Sequence, residues 1–584
     1  MFSRVSSGRV RETGPCLRDA SVQKTSLRWL KSVSVISPCR YVRQDVGGEA
    51  SPGSQSGESS SSAQKSPKAS LRQRESFPKA DRSRLLPVSL PGELSVEVAG
   101  EKVELRAFQV KGYEKLFLLE PCSEAHRKRL SSRLYQGDEA TRLGQEIVLG
   151  VGGVRLLESL GKQIDVFHFN EGHPVLAGLE LIRLYMEGKR GGRGEGGKAV
   201  PMEFEQAWET AKKEIAFTTH TPVAAGNEYH SLDALESAGA LILSRKEAEA
   251  IGGSGEKEKT KMFGMTEAGL RLSFISNAVA ALHGETARGM WKHVKGASEI
   301  LSVTNGVHRG SWQDARMAAV IESGGGTEKL WSFHRENKEE LLKEIAQRTG
   351  INLDPDVLLI GFARRSVTYK RSTLILQDEE WIESRLRGKK LQLVFAGKAH
   401  PQDEKGKELV SEILKWQEKL FDPTTGQGPL VFVPNYDMRL GKLLTRGCDV
   451  WLNNPKRPME ACGTSGMKAA LNGVLNLSIL DGWWPEGCIH GENGWRIGEE
   501  TCSSEDDDVS GLTGEEVDSR RNARDLQSLQ KVIDSDVLCC FGEEGREKWR
   551  EMMKKSIQMA QHRFSSDRMM TEYFEQIYKR KPVH

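Results

Sequence analysis

Three features are scarce in this 584-residue sequence, and each scarcity narrows the possible functions. The nine cysteines include no Cys-x-x-Cys pair, which argues against a metal cluster and suits a reducing compartment. No apolar run approaches the roughly eighteen residues that a membrane span needs. The 84 basic and 81 acidic residues nearly balance, so no basic field points to nucleic acid. We expect a soluble, enzyme-sized protein with neither a membrane nor a nucleic acid as partner.

The first 85 residues differ in composition from the rest. Residues 1–46 are basic and serine-rich without a clean apolar core, which is compatible with an organelle transit peptide and not with a secretory signal. The alternative is an untranslated or misjoined exon read as protein. Residues 49–84 are low-complexity. We therefore predict residues 1–85 to be disordered or transit-like, and a plastid or mitochondrial location if the leader is real, otherwise a cytoplasmic one.

Ordered structure is predicted from about residue 86. Two alternating segments flank Gly100 like a hairpin, and Gly150-Val-Gly-Gly joins two predicted helices. From residue 166 onward, strand, turn and helix alternate, which predicts an α/β fold with doubly wound parallel sheets whose site lies at the carboxyl ends of the strands. We divide the chain into a partial N-terminal lobe at 86–315 and a C-terminal lobe at 316–584. The acidic tract 499–525 is expected to be a loop insertion.

The most informative stretch runs from Arg457 to Gly473. Gly463-Thr-Ser-Gly has the composition of a tight turn entering a short helix, whose unpaired N–H groups and positive dipole end attract anions. Lys468 would then lie in the first turn, where a lysine can bind phosphate or form a Schiff base with an aldehyde cofactor. An ordinary capped helix with a solvated lysine is the alternative. The order Gly-Met-Lys-Ala excludes a Walker P-loop.

Two further patterns concern charge and metal. Cations follow the strand ending near Ala363, and together with Lys468 they could converge on one phosphate-binding crevice; they are Arg364, Arg365, Lys370 and Arg371. His168 and His173 could suggest a metal site, but residues five apart lie about 140° apart on a helix and do not match His-Glu-x-x-His. We expect no metal there.

Several motifs occur in an order that resembles the α-glucan phosphorylases, the glycogen and starch phosphorylase family. The resemblance runs from about residue 95 to 580, excepting the insertions, and together the motifs are far more specific than any one of them. The motifs include Leu134-Tyr-Gln-Gly-Asp, Phe169-Asn-Glu-Gly-His, Thr218-Thr-His-Thr-Pro-Val, Thr304-Asn-Gly-Val-His, Tyr369-Lys-Arg, Phe395-Ala-Gly-Lys-Ala-His, Asn435-Tyr-Asp-Met and the stretch from Glu460 to Lys468.

This resemblance implies a GT-B fold, with two Rossmann-like lobes and a cleft between them. It also implies reversible phosphorolysis of terminal α-1,4-linked glucose in a glucan by orthophosphate, with retention, giving α-glucose 1-phosphate. Pyridoxal 5′-phosphate is the implied cofactor, whose phosphate assists proton transfer. A homodimer is a possible assembly.

The resemblance carries over to individual residues. The implied catalytic residues are Arg365, Lys370 and Lys468. The implied cofactor contacts are Lys468, Thr464, Gly463, Arg364, Tyr436 and Trp312. The implied substrate contacts are Glu460, Asn305, Tyr369, His173 and Asp138. Glu460 is expected to bind hydroxyls rather than act as a nucleophile.

The sequence departs from the family pattern in three places. Cys462 replaces a serine, and the segment around Asn277 lacks a histidine and a glycine. The family's large N-terminal segment has no counterpart in residues 1–90, so no effector site carries over and allosteric control is not expected. Two alternatives therefore stay open: a non-catalytic glucan-binding remnant, and a nucleotide-sugar glucosyltransferase of the same fold.

Overall fold

The computed structural model describes residues 35–38, 82–131, 138–191, 200–223, 226–253, 262–499 and 513–582. They form two compact units. The first contains the described residues up to Thr304 together with those from Met569 onward, and the second runs from Asn305 to Arg568. Among the described residues, no helix has both the length and the apolar character of a membrane span.

The first unit contains two main sheets, one mainly antiparallel and one parallel. The antiparallel sheet has the order β1-β5-β4-β2, with β3 on β4, and the parallel sheet has the order β11-β10-β7-β6. The strands are β1 Val35–Pro38, β2 Leu85–Pro87, β3 Ser95–Val98, β4 Glu101–Val110, β5 Tyr113–Pro121, β6 Phe167–Asn170, β7 Ile215–Thr218, β8 Tyr229–Ser231, β9 Met262–Gly264, β10 Ile275–Ala278 and β11 Ile300–Ser302.

Eight helices accompany these strands in the described part of the first unit that precedes Thr304. They are α1 Glu124–Leu130, α2 Glu139–Ser159, α3 Leu176–Met186, α4 Phe204–Lys212, α5 Leu232–Ala238, α6 Arg245–Gly252, α7 Met265–Leu272 and α8 Ala281–Trp291. The predicted hairpin is confirmed, since β3 and β4 pair antiparallel across Ala99 and Gly100, both of which have positive φ.

Helix α2 is continuous, so the predicted break at Gly150 was wrong. Glycine is required there by packing rather than by a turn, because a Cβ at Gly150 would lie 2.8 Å from the backbone nitrogen of Ala177 in α3. Gly152 is equally close-packed, with 2.8 Å to Leu105 Cδ1. The two glycines allow α2 to approach both the neighbouring helix and the antiparallel sheet.

The second unit is built on a six-stranded parallel sheet with the order β14-β13-β12-β15-β16-β17. Its strands are β12 Leu358–Ala363, β13 Leu391–Ala396, β14 Leu430–Val433, β15 Val450–Asn453, β16 Leu475–Ile479 and β17 Gly494–Ile497. Every residue of β12 is buried, with Leu358 and Ile360 in one core and Leu359 in the other. Burial on both faces explains the continuous apolar runs that predicted these strands.

Helices cover both faces of this sheet. They are α9 Arg309–Trp312, α10 Ala315–Glu322, α11 Thr327–Thr349, α12 Glu379–Arg387, α13 Glu404–Leu420, α14 Met438–Gly447, α15 Thr464–Ala470, α16 Trp484–Gly487, α17 Gly514–Val532, α18 Leu538–Phe541 and α19 Arg546–Arg563. The next helix, α20 Ser566–Gln576, belongs to the first unit from Met569 onward. The predicted α/β class with parallel sheets is confirmed.

The structure corrects three of the predicted boundaries. The unit boundary lies at Thr304. Met569 and Tyr573 of α20, together with Ile577 just after this helix, belong to a core of the first unit, so 569–582 do not belong to the C-terminal lobe. Strand β1 and the described residues 82–85 lie within 1–85, which was predicted to be disordered or transit-like and most of which lies outside the described residues. The loop predicted through 525 was wrong from Gly514, where Thr513 caps α17 with a capping box; residues 500–512 are not described.

Candidate active site

The strand order places a crevice within the second unit. From β12 the chain proceeds to β13 and β14 on one side of the sheet and then returns to β15 and β16 on the other. The loops that follow β12 and β15 therefore diverge in opposite directions, and such a switch point is where open parallel sheets bind ligands. Arg364 directly follows β12, and the loop after β15 carries Glu460.

Three charged side chains meet at this point, and we call them the Glu460 cluster: Arg364, Lys370 and Glu460. The Lys370 Nζ lies 2.6 Å from Glu460 Oε2, and Arg364 Nη2 lies 3.0 Å from the same oxygen. All three side chains are nearly buried, with the carboxylate 7% exposed. Two cations share one carboxylate, which leaves a surplus positive charge in a water-poor position.

Burial and the neighbouring charges together set the pKa values of the side chains in and beside this cluster. Burial, together with the nearby guanidinium of Arg364, lowers the pKa of Lys370 to about 8. Burial alone would raise the pKa of Glu460, but Arg364 and Lys370 hold it below its ordinary value. Burial and the Glu460 carboxylate raise the pKa of Tyr369 to about 12. At neutral pH Glu460 is ionised and Tyr369 keeps its proton.

Asp481 holds the backbone of Glu460 and was missed as a functional residue. Its carboxylate follows β16 and accepts hydrogen bonds from the N–H groups of Glu460, at 2.9 Å, and Gly482, at 2.8 Å. Burial raises the pKa of Asp481 to about 7. The signal available in the sequence was its position, a carboxylate at the end of a buried strand.

Helix α15 begins beside the cluster and carries the predicted lysine. Its N-cap, Gly463, has φ of +81° and no side-chain cap, and a Cβ there would lie 3.4 Å from Arg364 Nη2. Lys468 points its ammonium group at the ring of Trp312, 3.6 Å from the centroid. Asn472 fixes this pair by donating to both Trp312 O, at 3.1 Å, and Lys468 O, at 2.8 Å.

Other predicted residues of the second unit lie around the same loops. The Asn305 carbonyl accepts a hydrogen bond from Arg568 at 3.0 Å, and its backbone amide faces the buried thiol of Cys462. Burial raises the pKa of that thiol. Thr464 is the first residue of α15, and the hydroxyl-bearing ring of Tyr436 packs against Gly441 of α14.

The strand-end arginines separate into different environments. Arg364 is buried, whereas Arg365 is exposed, so its predicted role toward phosphate stays a prediction. Arg371 does not join the cluster, because it donates to the carbonyls of Asn454 and Pro455, at 2.8 and 2.9 Å, and pairs with Asp525 of α17. The expectation that all the cations converge was therefore wrong for Arg371.

Two predicted substrate residues belong to the first unit. Asp138 is the N-cap of α2 and accepts a hydrogen bond from Thr141 N at 2.8 Å, while residues 132–137 of its motif are not described. His173 Nδ1 lies 2.7 Å from Arg142 Nη2. His168 contacts Tyr578 and Thr218 instead, at 2.9 and 2.6 Å, so the two histidines do not face one ion.

Asn277, where the sequence departs from the family pattern, is part of a buried hydrogen-bond network. It accepts from Thr218 Oγ1 at 2.7 Å and donates to Tyr573 OH at 3.1 Å. Its side chain is therefore engaged within the first unit.

Comparisons with known proteins find similarity to phosphorylases. Residues 313–537 match the family model of carbohydrate phosphorylases. The chain is 36% identical over 533 residues to a maltodextrin phosphorylase of Thermococcus litoralis, covering 83% of this chain and 60% of that protein. It is 34% identical to a glycogen phosphorylase of Aquifex aeolicus, covering 83% and 73%, and 33% identical to one of Mycobacterium tuberculosis, covering 87% and 63%. The chain thus spans about two thirds of the length of these relatives.

Proposed function

Because this chain belongs to the carbohydrate phosphorylase family, we propose that it catalyses reversible phosphorolysis of an α-1,4-glucan. Orthophosphate would remove a terminal glucose with retention and give α-glucose 1-phosphate, and pyridoxal 5′-phosphate would be the cofactor. The observation that carries the proposal is the Glu460 cluster, whose two buried cations share one carboxylate beside the helix of Lys468.

The residues of the second unit fit an aldehyde cofactor that carries a phosphate. Lys468 is half-buried against the Trp312 ring, which offers an amine next to an aromatic face. The buried Nη1 of Arg364 has no hydrogen-bond partner, so a donor is left over for an anion. Thr464 and Gly463 start α15 without a side-chain cap. When bound, the cofactor would supply its phosphate as an acid–base group beside the substrate phosphate.

The protein's own contribution begins with anion binding. Lys370 is mostly protonated below its pKa of about 8, and Arg364 is always charged. An incoming phosphate dianion would be neutralised by these two cations, with the exposed Arg365 as a third. Because the cluster excludes water, the charge interaction is stronger than at a surface and requires no reorganisation.

Glu460 is suited to orienting a sugar rather than to attacking it. Its carboxylate is held by Lys370 and Arg364, which hold its pKa down and reduce its nucleophilicity. Both oxygens of Asp481 accept backbone N–H groups, so that carboxyl group fixes the loop. The chain therefore does not need the pair of reacting carboxylates that glycosidases use.

A combined cofactor and activity assay tests the proposal. The purified full chain, reconstituted with pyridoxal 5′-phosphate, is expected to show a borohydride-fixable absorbance and to release glucose 1-phosphate from maltodextrin. Lys468→Ala should lose both signals. Lys456→Ala, whose lysine pairs with Asp518 elsewhere in the unit, should keep both.

The possible outcomes distinguish the alternatives. Absorbance without glucose 1-phosphate would favour the non-catalytic remnant. Glucosyl transfer from a nucleotide sugar without a chromophore would favour the glucosyltransferase. Either result would refute the proposed activity.

Further proposals concern the arrangement of the chain, its assembly and its location. We propose the GT-B arrangement of two lobes about a cleft, with His173 and Asp138 as further substrate contacts, and a homodimer, which sedimentation would test. We propose a cytoplasmic location unless residues 1–46 direct an attached fluorescent protein to a plastid or mitochondrion.

A further inference from the structure

A group of three potential metal ligands lies in the first unit, separate from the residues used above. Glu146 extends from α2, Glu228 precedes β8, and His230 lies on β8. One ligand atom from each residue lies within 4.8 Å of the other two. Glu146 and His230 are buried, with 2% and 5% exposed, and Glu228 is partly exposed.

The Glu146 carboxylate is short of donors. Neither of its oxygens has a hydrogen-bond partner, although the side chain is almost completely buried. The nearest cation is Arg142, whose Nε lies 3.3 Å from Glu146 Oε1 but donates to Glu228 Oε1 at 2.8 Å. One guanidinium therefore serves two carboxylates. A buried carboxylate with this environment calls for a further positive partner.

The orientation of His230 adds an independent observation. Its Nδ1 lies 3.0 Å from Glu139 Oε1, so the ring donates this N–H to a carboxylate. The opposite nitrogen, Nε2, is then an acceptor, and it faces Glu146 Oε2 at 3.7 Å with no hydrogen-bond partner. Two acceptors that face one another need either a proton or a metal cation between them. A carboxylate behind the far nitrogen is the usual support of a metal-binding histidine.

We propose that Glu146, Glu228 and His230 bind a divalent first-row transition-metal ion, with zinc as the type case. Two carboxylate oxygens and one imidazole nitrogen are ligands that such ions accept, and water would complete the coordination. Arg142 donates to Glu228 Oε1, and the ion would take Oε2, which has His173 Nδ1 beside it at 3.6 Å. The ion forms coordinate bonds only, and no group is oxidised or transferred.

The bound ion has a structural and a positioning role. It ties α2 to β8 and to the residue that precedes β8. Arg142, which lies between the two carboxylates, also contacts His173 Nδ1 at 2.7 Å, so the ion would fix the side chains around a predicted substrate residue. The site uses neither His168 nor any residue of the Glu460 cluster, and the proposal does not depend on the phosphorolysis proposed above.

Metal analysis of the purified full chain tests this proposal. After exposure to Zn²⁺ and extensive dialysis, the wild type is expected to retain about one ion per chain, as a single three-residue site implies. Glu146→Gln and His230→Gln should lower retention at least tenfold. Glu139→Gln alters only the partly exposed carboxylate behind His230, and it should weaken binding by about 10–100-fold. His126→Gln breaks another histidine–glutamate pair of the same unit and should have no effect.

Cobalt replacement identifies the ligands and guards against misfolded variants. Co²⁺ bound at this site should show ligand-field bands without the sulfur charge-transfer band that the cysteines would give. Circular dichroism checks that each variant is folded. Glu139→Gln tests the proposal even if a ligand variant misfolds, because the Glu139 side chain is 50% exposed and its replacement should leave the fold intact. No retained metal in the wild type, a thiolate spectrum, or unchanged binding in Glu139→Gln and the folded ligand variants would each overturn the proposal.

Discussion

The carboxylate of Asp481 accepts a hydrogen bond from the backbone N–H of Glu460 at 2.9 Å, which ties the end of β16 to the loop after β15. Its second oxygen accepts from Gly482 at 2.8 Å. Asp481 is fully buried, so both bonds are shielded from water. The position of the sugar-binding carboxylate in our proposal therefore depends on a residue that would not touch the substrate.

Replacing Asp481 by asparagine should weaken this support. The new amide group must point its NH₂ at one of the two backbone N–H groups, leaving a buried donor unsatisfied at a cost of about 1–3 kcal/mol. We expect kcat/KM for glucan to fall about tenfold to a hundredfold. Asp536→Asn, at a partly exposed position, should change it less than about twofold. Unchanged kinetics in folded Asp481→Asn would contradict the positioning role.

The lowered pKa of Lys370 should make the proposed phosphate binding sensitive to pH. A lysine with a folded pKa of about 8 loses its charge as the pH rises above 8, and the free enzyme then loses one phosphate-binding cation. We expect kcat/KM for orthophosphate to fall about tenfold per pH unit above 8. The decrease above pH 8 should be smaller for kcat than for kcat/KM, because bound phosphate raises the pKa of the lysine.

The Lys370→Gln variant is the control for this limb. This variant should bind phosphate poorly at every pH, and its kcat/KM for orthophosphate should not show the decrease above pH 8 that loss of the Lys370 proton causes. If the same decline persists in Lys370→Gln, another group titrates and the assignment is wrong.

The parallel sheet of the second unit was predictable because its strands are buried on both faces. Such strands give short, continuous apolar runs, as in Leu358–Ala363, and the carboxyl ends of these strands carry the polar loops. The turn before Lys468 was likewise predictable from its composition, and Gly463 there has a positive φ that glycine adopts without strain. Local patterns of this kind need no knowledge of distant neighbours.

Features set by distant contacts were not predictable. The continuity of α2 through Gly150 depends on Ala177 of α3, and the role of Arg371 depends on carbonyls more than eighty residues away. The assignment of 569–582 to the first unit depends on burial of Tyr573. In each case the sequence permits two environments, and tertiary packing selects one.

Gly466→Ala tests how tightly α15 is packed. Alanine normally stabilises a helix interior by about 1 kcal/mol relative to glycine. At this position, however, a Cβ would lie 2.5 Å from Asn476 Oδ1 and 3.0 Å from Trp483 Nε1, while Asn476 Nδ2 donates to the Gly466 carbonyl at 3.0 Å. We expect a net loss of about 1–3 kcal/mol and a lowered melting temperature by calorimetry.

Gly289→Ala is the matched control, because Gly289 lies within α8 with nothing within 4 Å of its Cβ position. That variant should be neutral or slightly stabilising. A stabilised Gly466→Ala variant would show that the side chains of Asn476 and Trp483 yield easily, and would remove close packing as the reason for glycine.

Asp449 offers a stability test at the other end of the same strands, where it directly precedes the central strand β15. Its carboxylate bonds His334 Nε2 at 2.8 Å, Lys338 Nζ at 2.6 Å and Leu359 N at 2.7 Å, with both side-chain partners at most 1% exposed. Asp449→Asn leaves the Lys338 charge buried without a counter-ion, which should cost about 3–5 kcal/mol. Calorimetry should show a large fall in the melting temperature of this unit. The control is Asp356→Asn, because the Asp356 side chain is 81% exposed in its ion pair with Arg335, and this variant should cost less than about 1 kcal/mol.

The pH dependence of unfolding gives an independent check on Asp449. Burial alone would raise its pKa, but Lys338 and His334 together hold the pKa of Asp449 below the ordinary value of 3.8. A carboxyl group with a lowered folded pKa contributes stability that is present above its unfolded pKa and is lost as the pH falls through the folded pKa. We therefore expect the wild type to lose this stability below about pH 4, and Asp449→Asn to lack that part of the acid limb. If the stability of the folded variant falls with decreasing pH in the same way as that of the wild type, the charge of Asp449 contributes nothing to the stability of the sheet.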